Sequence, residues 1–177
     1  AASDVYKRQL LSRFKELSVT VSLEGVGKHN DYLRYGSEWS MVENNIFRLQ
    51  RLANLSFGKV GVNHVLQHTS RLSLLPLLEF CQEHNIMIRV GDLVGANHLH
   101  VNGMTQGQHQ QFLNDLLAAR DQYKENFMTF SAVVYSLNFL SKYTFDREAN
   151  KKFYDYINMI DSIRGTNYFE VFDEPDK

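Results

Sequence analysis

The sequence feature that most constrains the fold is an alternation of short apolar segments with amphipathic ones. The apolar segments are Val19–Leu23, Lys59–Leu66 and Ile86–Val90, and each has the length and β-branched content of a strand. The segments between them carry apolar residues at helical spacing. Strands that alternate with helices predict parallel βαβ units. We therefore expect an α/β fold whose first strand is buried on both faces.

Helix-starting signals accompany the amphipathic segments. Ser40–Glu43 and Thr105–Gln108 both have the spacing of a capping box. Ser73 is expected to cap another helix, which places Pro76 in the first turn, where its missing N–H costs nothing. Asp146 is expected to cap the last helix. These positions predict where four helices begin.

Beyond the third strand the sequence predicts helices without intervening strands, apart from a short extended piece at Leu99–Val101. The segment Phe127–Tyr143 is apolar and aromatic, which favours a helix with its aromatic residues in the core, although a strand is also possible. In the last helix Phe153, Ile157 and Ile160 share one face. The three predicted strands are too few to close a barrel, so we expect further elements beyond this chain.

A polar turn follows the first strand at Ser22, Glu24 and Gly25. In α/β proteins ligands bind at the carboxyl ends of strands. Ser22 and Glu24 are two residues apart, so both side chains are expected on one face, and glycines at 25 and 27 allow close backbone approach. A carboxylate there can accept hydrogen bonds from hydroxyl or amino groups. The alternative is structural: Ser22 bonds backbone and Glu24 begins a turn.

The run from Ser22 to Trp39, S-L-E-G-V-G-K-H-N-D-Y-L-R-Y-G-S-E-W, resembles the radical S-adenosylmethionine (radical SAM) enzymes, and most closely the branch with a twitch or SPASM-type auxiliary iron–sulfur domain. Those proteins have a strand ending in Ser-x-Asp-Gly, then a Tyr-x-Arg-Tyr loop and a Trp before the next helix. Glu24 stands where the family usually has Asp. The resemblance extends from about Leu11 to Phe172 and is weak over residues 94–107.

The resemblance implies a fold and an activity. Residues 10–104 would form the second half of a partial (β/α) barrel of the TIM-like kind, and residues 105–177 a C-terminal helical extension. The intact parent would cleave S-adenosylmethionine at a 4Fe-4S cluster, and the resulting 5′-deoxyadenosyl radical would take hydrogen from an unknown peptide or small-molecule substrate. The family holds the cluster with Cys-x3-Cys-x2-Cys, whereas this chain has one cysteine, Cys81. The resemblance therefore implies a C-terminal fragment that is inactive alone.

The first residues have a separate explanation. Asp4–Gln9 is the translation of a transposon end used to make sequencing libraries, and no initiator Met is present. We interpret Ala1–Gln9 as a library scar and exclude it from the fold. A genuine N-terminal helix with this sequence is the alternative.

Three residues are candidates for binding the cofactor. The resemblance implies that Ser22 and Glu24 contact S-adenosylmethionine or substrate, and it places a polar residue of the second strand, Asn63, towards the nucleoside. A structural role for Asn63 is equally compatible with the sequence, because a buried amide must be hydrogen-bonded. Its neighbour His64 points to the opposite face and is expected to be a hydrogen-bonded core histidine.

Arg34 is a candidate substrate-binding residue, because its planar fork suits carboxylate and phosphate. The alternative, which we favour slightly, is a loop ion pair with Asp31 or Glu38. The aromatic segment Phe127–Phe139 could line a substrate groove, but a core position explains it better.

Other residues with metal-binding chemistry are better explained structurally. His98 and His100, with His109 nearby, are candidate metal ligands, but no Cys, Asp or Glu lies close in the sequence to complete a zinc site. We expect surface histidines. Cys81 lies on the apolar face of its helix and is expected to be a small core residue.

Charge and composition exclude several classes of protein. The 177-residue chain has a net charge of −1, which favours neither nucleic acid nor an anionic membrane surface as a partner. No apolar run reaches the roughly 20 residues of a membrane-spanning helix. A single cysteine fits a reducing compartment, so we predict a cytoplasmic protein.

Two functions of other classes remain open. The chain could be a non-catalytic α/β scaffold or interaction protein. It could also belong to a TIM-type hydrolase or lyase that uses Glu24 for acid–base chemistry. The second function needs another carboxylate or a histidine at a neighbouring strand end, and Asp92 is the only candidate.

Overall fold

The computed structural model describes residue 13, residues 15–55 and residues 58–174. Over these residues the chain alternates strand and helix first and is then helical. The elements are β1 (Ser18–Ser22), α1 (Gly27–Leu33), α2 (Trp39–Leu55), β2 (Lys59–Leu66), α3 (Ser70–Glu83), β3 (Met87–Asp92), α4 (Gln106–Gln122), α5 (Phe127–Leu140), α6 (Arg147–Arg164) and α7 (Tyr168–Val171). The predicted scar Ala1–Gln9 lies outside the described residues.

The three strands form one parallel sheet in the order β1-β2-β3. Ser22 pairs in register with Asn63, and Asn63 pairs with Arg89 on the other side. The α/β class is therefore confirmed, and the second strand has the predicted bounds. The third begins one residue later than predicted and ends two residues later. A partial barrel stays a prediction, because the described sheet has only these three strands.

The two faces of the sheet differ sharply in burial. One face packs against helices, and its side chains in the central strand are almost fully buried: Val60, Val62, His64 and Leu66. The other face is open along β1, where Ser18, Thr20 and Ser22 are exposed. The expectation that the first strand is buried on both faces is wrong for the described residues, because no element among them covers this side.

Two of the predicted helix starts are confirmed and two are wrong. Thr105 and Gln108 form the capping box of α4, and the Asp146 carboxylate accepts hydrogen bonds from the first turn of α6. Ser40 lies inside α2, whose first turn bonds to the Glu38 carbonyl instead. The residues predicted to begin α3 also lie inside it, because that helix begins at residue 70.

The reason for the early start of α3 is a side-chain hydrogen bond. The hydroxyl of Ser70 accepts from the backbone N–H of Gln67, 2.9 Å away, and so closes the turn between β2 and the helix. Ser73 is then fully buried in the second turn, and Pro76 falls in the helix interior. The sequence analysis therefore predicted the correct helix but was wrong to place Pro76 in its first turn.

The hydrophobic core runs without interruption from the sheet into the later helices. Buried side chains of β2 and α3 belong to one cluster with Phe112 and Leu116 of α4 and with Val133 of α5. A second cluster joins α1 to α6 and α7. Its buried members are Tyr32, Phe153, Ile157, Ile160, Tyr168 and Phe172. The prediction that Phe153, Ile157 and Ile160 share one face is confirmed.

Two other expectations for the second half are wrong. The piece predicted to be extended at Leu99–Val101 belongs to two short 3-10 turns. The helix predicted from Phe127 is confirmed, but Phe127 is 81% exposed and Tyr135 is 39% exposed, so neither is a core residue. In the described part of the chain, no helix combines the length and the apolarity needed to cross a membrane.

Candidate functional site

A cavity lies where β1 and β2 end, as expected for ligand sites in α/β proteins. Its volume is about 320 Å³. The residues after the two strands contribute one side, and the end of α1 and the last turns of α6 contribute the other. The lining residues are Glu24, Tyr32, Leu33, Arg34, Gln67, Thr69, Leu99, Tyr156, Ile157, Ile160 and Arg164. Two of the predicted site residues, Glu24 and Arg34, are therefore brought together here.

Glu24 and Arg34 form an ion pair at the edge of this cavity. The Arg34 Nη2 group donates to Glu24 Oε1 over 2.9 Å. The prediction that Arg34 pairs with Asp31 or Glu38 is wrong about the partner, because the loop folds back to the end of β1. The other carboxylate oxygen, Oε2, is buried and accepts no hydrogen bond within the described residues. Glu24 can therefore accept one more hydrogen bond.

His64 lies beneath Glu24 and is fully buried. Its Nδ1 is 3.0 Å from the Leu23 carbonyl oxygen and its Nε2 is 2.9 Å from the Ser70 hydroxyl. Nδ1 must donate to the carbonyl, so Nε2 accepts from the hydroxyl. Burial lowers the pKa of His64, although Glu24, whose Oε2 is 3.9 Å from Nδ1, acts in the opposite direction. The prediction of a hydrogen-bonded core histidine is confirmed.

Ser70, His64 and Glu24 lie next to one another in the order of a catalytic triad, which consists of a nucleophile, a base and an orienting acid. Both Ser70 and His64 are 0% exposed. The serine hydroxyl also accepts from the backbone of Gln67, and the 3.9 Å between histidine and glutamate is too long for a hydrogen bond. We assign this array a structural role, because neither Ser70 nor His64 lines the cavity and the Ser70 hydroxyl already has hydrogen-bond partners.

Ser22 and Asn63 lie apart from the cavity, on the open face of the sheet. They are register partners at the carboxyl end of β1 and in β2, and Arg89 continues the row in β3. Ser22 and Arg89 are exposed and Asn63 is half-buried. Within the described residues none of these three side chains makes a hydrogen bond or an ion pair. The row is thus a polar surface that the fold itself does not use.

The two glycines after β1 are explained by the fold. A Cβ on Gly25 would lie 3.1 Å from the Cβ of Ser73 and 3.0 Å from that of His29, so the loop can approach α3 only without a side chain. Gly27 has a φ of +55°, which is in the left-handed region. The close approach expected here is therefore to the chain's own helices.

Tyr32 and Arg164 connect α1 to the end of α6. The Arg164 Nη1 group donates to the Tyr32 carbonyl over 3.1 Å, and its guanidinium lies 4.6 Å from the centre of the Tyr35 ring. Burial and the nearby Asp161 carboxylate raise the pKa of the Tyr32 hydroxyl. The tyrosine therefore stays neutral and contributes a ring and a hydroxyl to the cavity wall.

Comparison with protein-family models, curated proteins and solved structures found no match. The site must therefore be interpreted from its own chemistry. Among the described residues no group of three or more His, Cys, Asp and Glu side chains could hold a metal ion. Cys81 is buried in the core, as predicted, and burial raises the pKa of its thiol to about 12.

The three histidines considered as metal ligands are half-buried against aromatic rings. His98 packs beside Tyr156, and His109 stacks on Tyr143 with ring centres 3.8 Å apart. His100 accepts a hydrogen bond from the backbone of residue 102 through Nδ1. We expected these histidines to lie on the surface. They are instead partly buried, and contacts with neighbouring groups of the chain fix their positions.

The acid–base partner considered for Glu24 is engaged elsewhere. Asp92 ends β3 and accepts a hydrogen bond from the Tyr135 hydroxyl. Because β2 separates β1 from β3, the two strands are roughly 10 Å apart. Glu24 and Asp92 are therefore too far apart to act together as the acid and base of a hydrolase or lyase.

Sequence reasoning missed the residues that close the cavity from β2 and α6. Gln67 and Thr69 directly follow β2, and the strand-end rule that selected Glu24 would also have selected them. Arg164 gives no such signal, because its neighbour Gly165 marks it as a helix end. Its return to the end of β1 depends on how α6 packs on α1.

Proposed function

We propose that this chain is the C-terminal part of a radical SAM enzyme, and that the open face of its sheet is the inner wall of a partial barrel. In this proposal Ser22, Asn63 and Glu24 bind S-adenosylmethionine at the carboxyl end of β1 and beside it on β2. The observation that carries the proposal is a parallel sheet with one polar face that no described element covers. Parallel sheets are otherwise covered on both faces.

The chemistry of this face is suited to a nucleoside. The Ser22 hydroxyl both donates and accepts, and the Asn63 carboxamide has two donors and an acceptor. They are register partners, so one ligand can contact both. Glu24 follows at the strand end with a buried carboxylate oxygen that accepts no hydrogen bond in the described chain. Ribose hydroxyls and a base edge are groups that such side chains recognise.

The iron–sulfur cluster does not fit the described residues. Its ligands are thiolates, and the one thiol of the chain belongs to Cys81, which is buried and has a raised pKa. The proposal therefore assigns the cluster to another part of the parent enzyme. The residues of this chain would bind and orient S-adenosylmethionine, which supplies the radical chemistry when bound.

A binding measurement tests the proposal on the chain itself. We expect S-adenosylmethionine to shift the amide NMR signals of Ser22 and Asn63, and we expect Asn63→Leu to weaken binding by about tenfold. Asn44→Leu, an exposed asparagine of α2, is the matched control and should bind normally. Equal binding by both variants, or no shift at the two strand positions, would contradict the proposal.

A further inference from the structure

We infer that the cavity at the end of β2 binds the carboxylate of a small ligand with an aliphatic body. Arg164 binds the carboxylate, and Gln67 and Thr69 hydrogen-bond to the polar atoms next to it. These three residues are not among those assigned to S-adenosylmethionine, although Glu24, which is, lines the same cavity. The inference rests on the proposed function only in identifying this ligand with the substrate of the parent enzyme.

Arg164 carries a positive charge that the fold does not neutralise. No carboxylate lies within ion-pair distance of it over the described ranges, and its one hydrogen bond goes to the Tyr32 carbonyl. The ring of Tyr35 holds the guanidinium in place from the side. The remaining N–H groups of its fork are therefore oriented and unused, which is the arrangement that binds a carboxylate with two hydrogen bonds.

The net charge of the cavity favours a singly charged ligand. Arg34 also lines the cavity, but Glu24 neutralises it at 2.9 Å. Arg164 is then the one uncompensated charge among the lining residues of the described chain. A carboxylate balances this charge, whereas a doubly charged phosphate would leave one negative charge in a partly apolar cavity.

Two buried polar side chains independently indicate a ligand. Gln67 is 8% exposed and Thr69 is 1% exposed, and both line the cavity. Within the part of the chain that the structure describes, neither side chain makes a hydrogen bond; the Thr69 hydroxyl oxygen is fully buried, whereas the polar atoms of the Gln67 carboxamide are not. Buried polar groups are normally hydrogen-bonded. A ligand in this cavity would supply the missing partners.

The rest of the wall selects the body of the ligand. Leu33, Leu99, Ile157 and Ile160 contribute aliphatic side chains, and Tyr156 contributes a ring. The volume of about 320 Å³ is near the lower end of ligand sites, which range from roughly 300 to 1,000 Å³. A short branched chain, such as that of leucine, matches both the chemistry and the size.

A purely structural role makes different predictions. Arg164 is in the last turn of α6, where a cation stabilises the helix dipole, and a buried water could bond to Thr69. In that case Arg164→Gln would change only the unfolding midpoint. Thr69→Val, which keeps the shape and removes the hydroxyl, would leave ligand affinity unchanged.

The experiment titrates the chain with 4-methylpentanoate and with 4-methylpentanamide, which has the same shape without the charge. NMR signals of Gln67 and Thr69 report binding at the cavity. We expect the acid to bind at least about tenfold more tightly than the amide. A peptide ending in a free leucine carboxylate is the third probe. If the peptide binds more tightly, the natural ligand is the C-terminus of a peptide chain. If the free acid binds more tightly, the natural ligand is a small metabolite.

Variants assign the binding to the named residues. We expect Arg164→Gln to weaken 4-methylpentanoate binding by about tenfold or more, and Thr69→Val by about threefold or more. Arg147→Gln, an exposed arginine at the start of the same helix, should bind like the parent chain. If Arg164→Gln does not fold, Thr69→Val still decides the outcome. Equal affinity for acid and amide, or unchanged affinity of Thr69→Val, would overturn the inference.

The same titration keeps this inference separate from the proposed function. Binding of 4-methylpentanoate without binding of S-adenosylmethionine would support the carboxylate site and contradict the enzyme assignment. Binding of S-adenosylmethionine without binding of either carboxylate probe would overturn the carboxylate site and leave the enzyme assignment standing.

Discussion

The covered and open faces of the sheet carry polar residues in opposite states. On the covered face His64 is fully buried, and both of its ring nitrogens have partners, Leu23 and Ser70. On the open face its neighbour Asn63 is half-buried, and no hydrogen bond to its carboxamide occurs among the described residues. The two residues are adjacent in β2, and their side chains point to opposite faces of the sheet.

This difference separates polar residues that the fold requires from those that it leaves available. A buried histidine with two hydrogen bonds stabilises the native state, and its removal should be costly. An asparagine with none contributes little to stability, so its presence on a polar row needs another explanation. Ligand binding is the explanation that we propose, and substitutions on the two faces test it.

The largest expected effect comes from the covered face. His64→Ala removes two buried hydrogen bonds and opens a cavity, so we expect a loss of about 3 kcal/mol in the free energy of unfolding. Urea denaturation measures it. A loss no larger than that of Asn63→Ala would remove the distinction between the two faces.

The same histidine makes stability depend on pH. Burial lowers its pKa in the folded chain below the ordinary value of 6.5. Below pH 6.5 the unfolded chain binds a proton that the folded chain excludes, so stability decreases as the pH falls, by at most about 1.4 kcal/mol per pH unit. His29, whose pKa burial also lowers, adds to this slope. Urea midpoints measured at several pH values should show a smaller slope for His64→Gln, and an unchanged slope would contradict this assignment.

A smaller effect is expected at the edge of the cavity. Glu24→Gln keeps the size of the side chain and removes the charge that pairs with Arg34. Because the arginine side chain is 40% exposed, we expect a change of less than about 1 kcal/mol, decreasing further at high salt. Thermal denaturation with and without added salt measures it. A larger, salt-independent loss would mean that Glu24 supports the buried histidine instead.

The smallest effect on stability is expected on the open face. Asn63→Ala and Ser22→Ala should each change the free energy of unfolding by less than about 0.5 kcal/mol. Both should nevertheless weaken binding of S-adenosylmethionine, if our proposal is correct. A substantial loss of stability from either substitution would give the polar row a structural role and would argue against ligand binding.

Local sequence patterns predicted the elements well and their surroundings less well. β2, the capping box at Thr105 and the cap at Asp146 follow from neighbouring residues, and each was placed correctly. Burial of β1 on both faces was inferred from its composition, but composition does not reveal which elements pack on a strand. The exposed Phe127 shows the same limit.

The candidate site was half predictable for the same reason. Arg34 was found from the anion-binding chemistry of its side chain, and Glu24 from the rule that ligands bind where strands end. Gln67 and Thr69 follow the next strand and were within reach of that rule. Arg164 could not be found by such a rule, because it lies 140 positions after Glu24 in the sequence. Only the packing of α6 on α1 brings the two residues to one cavity.

The most direct test of the central claim is to amplify outward from the codons for Leu10 in the source DNA and sequence the upstream region. Our account predicts an open reading frame, continuous with this chain, that encodes Cys-x3-Cys-x2-Cys after a predicted strand. That frame would supply the cluster ligands and the strands that complete the barrel around the open face. A start codon immediately before Leu10, or an upstream frame without this motif, would contradict the radical SAM assignment.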